Sequence, residues 1–97
     1  MVTHIVMWNF LDTLSQEEKT EAKALIKERL EALKEEIPGV VSLKVVVNPL
    51  SGSTKDIALI GEYESAEALQ NYAVHPAHLE VGSYIKTVTC GREAFDF

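Results

Sequence analysis

The first apolar segment of the chain, residues 2–10 (VTHIVMWNF), constrains the fold most, because it is apolar on both sides. Its β-branched and aromatic residues predict a strand. Side chains alternate along a strand, so one face carries Val2, His4, Val6, Trp8 and Phe10. The other face carries Thr3, Ile5, Met7 and Asn9. A sheet built on this strand therefore has apolar side chains to cover on both of its faces.

A capped amphipathic helix follows the first strand. Residues 15–18 (SQEE) match a capping box, in which Ser15 is the N-cap and Glu18 reaches back to it. Apolar residues then recur at intervals of three and four and form one stripe, consisting of Ala22, Leu25, Ile26, Leu30, Leu33 and Ile37. Pro38–Gly39 ends the helix, because proline lacks an amide hydrogen and disfavours helix in the residue before it.

Three more strands are predicted in the remaining sequence. Residues 40–48 (VVSLKVVVN) and 57–64 (IALIGEYE) are rich in β-branched residues and are separated by a turn-rich connection. Residues 87–97 (TVTCGREAFDF) form the last predicted strand, in which Gly91 marks a bulge.

A second helix is predicted between the third and fourth strands. Ser65 caps it, and the spacing of its apolar residues gives an inner face of Ala66, Leu69, Tyr72 and Ala73. Pro76 ends or breaks this helix. Residues 77–85 (AHLEVGSYI) predict one more short helical piece.

The order β-α-β-β-α-β predicts an α+β fold, the ferredoxin-like plait with a four-stranded antiparallel sheet, as a single domain over residues 1–97. Both helices of this plait cover the same face of the sheet. The bare face of this chain carries apolar side chains, and monomers rarely expose an apolar patch of that extent. We therefore expect a homodimer in which two sheets pack face to face through a symmetric interface.

Composition narrows the classes of partner. The 97 residues carry a formal net charge of −6 and no run of basic residues, so we expect no nucleic-acid partner. No apolar run approaches the roughly 18 residues of a membrane span, and no secretory signal is recognisable, so we expect a cytoplasmic protein without membrane contact. The single cysteine, Cys90, cannot form an intrachain disulfide, and its alternation with Val88 predicts a buried, inert thiol.

The segment YAVHPAH, residues 72–78, holds the side chains best suited to chemistry. The spacing of His75 and His78 is one that a zinc site can use, but Pro76 breaks their helical phasing and Glu80 is the only close carboxylate, so we predict no metal site. An imidazole and a phenol in an apolar cavity suit proton abstraction next to a carbonyl. Structural roles stay open for His75, which is placed to cap a helix end, and for Tyr72, which is placed to pack in the core.

The chain resembles the stress-responsive A/B barrel domain (Dabb) family over nearly its whole length. The resemblance is carried by HIVMWNF, IPGVVSLKVVVN, YESAEALQNYAVHPAHLEVG and AFDF, and HPAH after a helix that ends in tyrosine is the most specific of these. It implies a dimeric α+β barrel of ferredoxin-like subunits. A plant branch of the family contains polyketide cyclases that need no metal or cofactor.

In that branch the second histidine of HPAH serves as base and the preceding tyrosine orients the substrate. The resemblance thus implies that His78 and Tyr72 are the catalytic candidates and that no cofactor is used. It also implies a cavity for a small apolar or β-keto ligand. We expect the lining to include His4, Val6, Trp8, Leu59, His75, Leu79 and Val81.

This sequence departs from the cyclases in the lining of their pocket. They supply aromatic residues from the first helix, whereas no Phe, Tyr or Trp lies between Leu11 and Glu62 here. Thr89 and Arg92 stand where bulkier apolar side chains would extend the pocket. Two hypotheses follow: a dimeric ligand-binding protein without catalysis, and a cofactor-independent enzyme of cyclase or isomerase type. A third hypothesis is a cofactor-free monooxygenase, because enzymes of that kind are built on the same barrel. The resemblance to them is one of fold alone.

Overall fold

Four strands and three helices make up the protein in a computed structural model that describes residues 1–97. In chain order they are β1 (Val2–Phe10), α1 (Gln16–Glu36), β2 (Val40–Val46), β3 (Ile57–Tyr63), α2 (Ala66–Val74), α3 (Pro76–Val88) and β4 (Thr89–Asp96). The strands form one antiparallel sheet in the order β2-β3-β1-β4. The predicted ferredoxin-like α+β fold is confirmed.

Local signals in the sequence set most element boundaries. The capping box is present, since Ser15 Oγ accepts from Glu18 N at 3.1 Å and Glu18 Oε1 accepts from Ser15 N at 2.8 Å. The apolar stripe of α1 is buried against the sheet, with Leu25 only partly so. Ser65 caps α2 by accepting from Ala68 N.

The helical part between β3 and β4 differs from the prediction in extent. The short helical piece predicted over residues 77–85 is a full 13-residue helix, α3, which begins at Pro76 and continues through Val88. The last strand therefore begins at Thr89, two residues later than predicted. On α2 the predicted inner face of Ala66, Leu69, Tyr72 and Ala73 does face one cavity, with Tyr72 buried and the two alanines exposed to that cavity. Ala68, which was not predicted to face inward, is also buried and packs where Gly39 leaves room: a Cβ built on Gly39 would lie 2.7 Å from the Ala68 Cβ.

The helices cover one face of the sheet and leave the other bare. On β1 the covered face buries Val6, Trp8 and Phe10. The bare face carries Ile5, which is in register with Ile60 on β3 and with Phe95 on β4. Ile60 is 38% exposed and Phe95 is 65% exposed. An apolar strip thus crosses three strands on this face. No helix of the chain combines the length and apolar character needed to cross a membrane.

Cys90 is exposed, so the prediction of a buried thiol is wrong. It pairs with Asn9 on the bare face of β4, which is an edge strand. Gly91 adopts φ +63°, and the pairing register of β1 with β4 shifts between Met7 and Asn9, as the predicted bulge requires. Alternation from Val88 fails as a guide because Val88 belongs to a helix.

An ion pair on α1 closes the free edge of β2. Glu31 Oε2 accepts from Val45 N at 2.9 Å, and Lys27 Nζ donates to Val45 O at 2.9 Å. Lys27 Nζ also donates to Glu31 Oε2 at 2.8 Å. The outward amide and carbonyl of Val45 are thereby satisfied, which prevents another strand from pairing there. Burial raises the pKa of Glu31, but the bonds from Lys27 and Val45 and the nearby charge of Lys44 outweigh it and hold the pKa below the usual value.

We expect Glu31→Gln to lower the free energy of unfolding by about 1 kcal/mol at neutral pH, because the partly solvated pair loses its charge-assisted bonds. The folded-state pKa lies below the unfolded one, so this stabilisation is present above the unfolded pKa and is lost as the pH falls through the folded pKa. Urea unfolding of the wild type and of Glu31→Gln, from neutral pH to about pH 3, measures whether their free energies of unfolding converge as the pH falls. Glu28→Gln, an exposed glutamate on the same helix, is the control. A difference that persists unchanged at low pH would contradict this account.

Candidate ligand-binding site

A cavity of about 1290 Å³ lies between the helix-covered face of the sheet and the helices α2 and α3. Its apolar wall includes Val6 and Trp8 from β1 and Leu59 from β3. Its β4 side is formed by Arg92 and Asp96, both exposed. The cavity is therefore apolar at its base and open to solvent beside β4.

Six of the nine predicted site residues line this cavity: His4, Val6, Trp8, Leu59, Tyr72 and His78.

Leu79 and Val81 lie outside the wall. On α3 the other residues that line the cavity are one and two turns from His78, at Gly82, Ile85 and Lys86. Leu79 and Val81 belong to other faces of this helix. Leu79 is 53% exposed, and Val81 is buried on the side that faces α1.

His75 also lies outside the wall and caps both helices at the break. Its backbone N–H donates to Tyr72 O at 3.2 Å, which ends α2. Its side-chain Nδ1 accepts from Ala77 N at 3.0 Å, which begins α3. The structural role left open for His75 is the one that the structure supports.

His78 presents a free ring nitrogen at the cavity. Its Nδ1 lies 3.1 Å from Ala73 O, and because a carbonyl can only accept, Nδ1 must carry the proton. The Nε2 lone pair of the neutral ring is then left free. Burial lowers the pKa of His78, and the charges of His4, Arg92 and His75 lower it further, while the Ala73 bond opposes them. The neutral, Nδ1-protonated ring is the form expected at neutral pH.

Tyr72 packs its ring on His78, with ring centroids 4.4 Å apart. On its other side it meets Tyr63 at 5.0 Å. Both phenol oxygens have less than 1 Å² exposed, and neither has a hydrogen-bond partner. Burial raises the pKa of Tyr72 to about 12, although the neighbouring Tyr63 hydroxyl lowers it, and burial together with Tyr72 raises the pKa of Tyr63. Each hydroxyl thus shifts the pKa of the other, although the two do not meet the geometry of a hydrogen bond. Both phenols stay protonated at neutral pH.

His4 is paired with Asp96 across the sheet. The two residues are in register on β1 and β4, and His4 Nδ1 contacts Asp96 Oδ1. An ionised carboxylate accepts only, so Nδ1 of His4 donates. His4 also meets Tyr63 edge-on at 6.1 Å. No group of three or more His, Cys, Asp or Glu side chains is placed to hold a metal ion.

Sequence reasoning missed Tyr63 and Asp96. Tyr63 carried a usable signal, because it alternates with Ile57, Leu59 and Gly61 on the inner face of β3, and a glycine there makes room for a large neighbour. Asp96 carried none, since only the register of β4 after its bulge brings it to His4.

Comparison with known proteins gives one family. The family model described as Stress Responsive A/B Barrel Domain matches residues 2–97. A dimeric protein of unknown function with a ferredoxin-like fold from Bacteroides fragilis is 31% identical, with a TM-score of 0.92 over 99% of this chain and 93% of that one. No curated protein is similar enough in sequence to count as a match.

Two further solved structures share the fold at lower identity. A dimeric ferredoxin-like protein of unknown function from Thermobifida fusca is 21% identical, with a TM-score of 0.80 over 99% of this chain and 88% of that one. SnoaB, a cofactor-independent oxygenase from Streptomyces nogalater, is 14% identical, with a TM-score of 0.75 over 99% of this chain and 89% of that one.

Proposed function

The chain belongs to the stress-responsive A/B barrel domain family, and on that premise we propose that it is a homodimer that binds a small apolar or β-keto ligand beside His78 and Tyr72. The observation that carries the proposal is the pair of buried, unpartnered phenol hydroxyls of Tyr72, which lines the cavity, and of Tyr63, which packs against Tyr72. An unmet buried hydroxyl costs about 1–3 kcal/mol, whereas phenylalanine would pack in the same space without that cost. A ligand oxygen would supply the missing partner.

The character of the cavity supports a small organic ligand. Val6, Trp8 and Leu59 give it apolar walls, and a few polar groups converge on it from the helix side, as in most small-molecule sites. The Tyr72 ring forms part of the wall while its hydroxyl is buried. Binding of a carbonyl to that hydroxyl therefore involves a tilt of the Tyr72 ring or of the half-buried His78 ring stacked on it.

A cofactor-independent enzyme of cyclase or isomerase type is the second candidate, favoured by the free Nε2 of His78. Nε2 would take a proton from the carbon next to a carbonyl, and the electron pair of that C–H bond would move onto the carbonyl oxygen. Tyr72 would donate a hydrogen bond to the resulting enolate. In a cyclase the enolate carbon would then attack a second carbonyl of the same molecule, and the imidazolium would give its proton to the alkoxide that forms. In an isomerase the imidazolium would return the proton to another atom of the enolate.

Benzoylacetone, an enolisable β-diketone, tests both candidates. We expect the wild-type protein to bind it and to accelerate conversion of its enol to the ketone. Loss of the enol's ultraviolet absorbance measures the rate of this conversion. His78→Gln should retain binding and reduce the acceleration about 100-fold or more, because it removes the base. His75→Asn, which keeps a capping side chain outside the cavity, should change neither.

Failure of the wild-type protein to bind benzoylacetone would contradict the ligand proposal. Binding with an acceleration that survives His78→Gln would leave ligand binding standing and remove His78 as base.

The bare face of the sheet supports the homodimer. Ile5, Ile60 and Phe95 form its apolar strip, and an isologous partner would bury the same strip on both subunits. The relatives from Bacteroides fragilis and Thermobifida fusca are described as dimeric, which is consistent with this arrangement.

We expect light scattering at low micromolar concentration to give about twice the 10.8 kDa of one chain. Ile60→Glu should shift the protein to the monomer, because it places a charge in the apolar strip. Leu50→Glu makes the same kind of change at an 85% exposed residue outside the sheet and should leave the dimer intact. A folded wild-type monomer, or an Ile60→Glu protein that stays dimeric, would contradict the face-to-face arrangement.

A further inference from the structure

Tyr63 has no part in the chemistry proposed above, although its hydroxyl is as buried as that of Tyr72. We propose that Tyr63 is a positioning residue of the same site: its hydroxyl donates to the Tyr72 oxygen when Tyr72 donates to a ligand, which selects ligands that present a carbonyl or enolate oxygen. This inference rests on the proposed function and names the ligand chemistry that the site prefers.

The two phenol rings pack against each other, and each hydroxyl shifts the pKa of the other. Their centroids are 5.0 Å apart, with the planes inclined by 57°. Tyr63 has no exposed surface and Tyr72 has 1%. Each hydroxyl lacks a partner, so neither is committed to another part of the protein. Each hydroxyl is therefore free to bond to the other, or to a group that arrives from the cavity.

Gly61 holds the hydroxyl end of Tyr63 in place. A Cβ built on Gly61 would lie 2.6 Å from the Tyr63 oxygen and 2.8–2.9 Å from two ring carbons. Glycine inside a strand weakens it, because it gives no side chain to pack and adds backbone entropy to the unfolded chain. Here it makes a notch in the sheet, and the phenol of Tyr63 lies in that notch beneath Tyr72.

Electrostatics set the direction of the proposed bond. Burial raises the pKa of both phenols, and the charge of Asp96 raises that of Tyr63 further. Tyr63 is consequently the weaker acid and keeps its proton. Tyr72 is the phenol better able to share negative charge with a ligand oxygen, and a bond donated by Tyr63 stabilises that charge.

The two phenols form a chain of donors that ends at the ligand. Hydrogen bonds in series polarise one another, so the bond from Tyr63 strengthens the one from Tyr72 to the ligand. A ligand without an oxygen acceptor leaves the chain incomplete and gains nothing from it. The site should therefore discriminate between a β-diketone and a hydrocarbon of the same length.

Benzoylacetone and butylbenzene, its analogue without oxygen, are the matched probes. We expect Tyr63→Phe to weaken benzoylacetone binding about 3- to 10-fold, as for one neutral hydrogen bond, and to leave butylbenzene binding within about 2-fold. The effect should disappear in a Tyr72→Phe background, because Tyr63 acts through Tyr72. Tyr84→Phe is the control, since that ring packs against Arg29 outside the cavity.

Gly61→Ala gives a second, independent variant. It keeps the Tyr63 hydroxyl but displaces it from the notch, and it should produce the same selective loss of benzoylacetone binding. Equal losses for both probes, or a loss that persists in the Tyr72→Phe background, would show that Tyr63 acts by packing and would overturn this inference alone. A wild-type protein that binds neither probe would overturn the proposed function and this inference with it.

Discussion

Pro76 is the constraint on which the arrangement of the site depends. It has no amide hydrogen, so the helix that begins at Ala66 cannot continue, and its last carbonyls need other partners. The His75 backbone satisfies one of them at Tyr72, and the His78 imidazole satisfies another at Ala73. The bond that completes the helix end thereby fixes the His78 tautomer. A structural and a chemical role are combined in one ring, since each uses a different nitrogen.

The polar groups of the cavity differ in how well they are satisfied. His4 is hydrogen-bonded to Asp96 and His78 to Ala73, whereas the hydroxyls of Tyr63 and Tyr72 have no hydrogen-bond partner. Protein interiors rarely leave hydroxyls in this condition, because phenylalanine gives the same packing without the penalty. Tyr72 lines the cavity together with His78, and Tyr63 packs against Tyr72. This coincidence is the physical basis of the proposal that a ligand oxygen binds there.

Short-range signals in the sequence predicted most of the fold. The capping box of α1, its apolar stripe and the break at Pro76 each depend on residues a few positions apart, and each is confirmed. The resemblance to the family, carried above all by the HPAH segment, is confirmed as well. Errors arose where the extent or phase of α3 decides where a residue lies, as for Leu79 and Val81, which lie outside the cavity, and for Cys90, whose exposure was missed because Val88 is helical. The single domain and the cytoplasmic location stay predictions.

The polar partners within the site lay beyond those signals. The contact of His4 with Asp96 joins opposite ends of the chain and requires both the β1–β4 register and the bulge at Gly91. The place of Tyr63 beneath Tyr72 requires the α2 helix to pack over β3 at the height of Gly61. Contacts of this kind are set by the assembled sheet and not by local spacing.

The central claim is that His78 meets the cavity as a neutral imidazole with a free Nε2. Nitrogen NMR of the labelled imidazole tests it most directly, with His78→Gln to assign the resonance. We predict the Nδ1-protonated tautomer and a pKa below the ordinary histidine value of 6.5. A ring protonated at Nε2 in its neutral form, or a pKa at or above 6.5, would contradict the claim and leave His78 as a solvated helix-end residue.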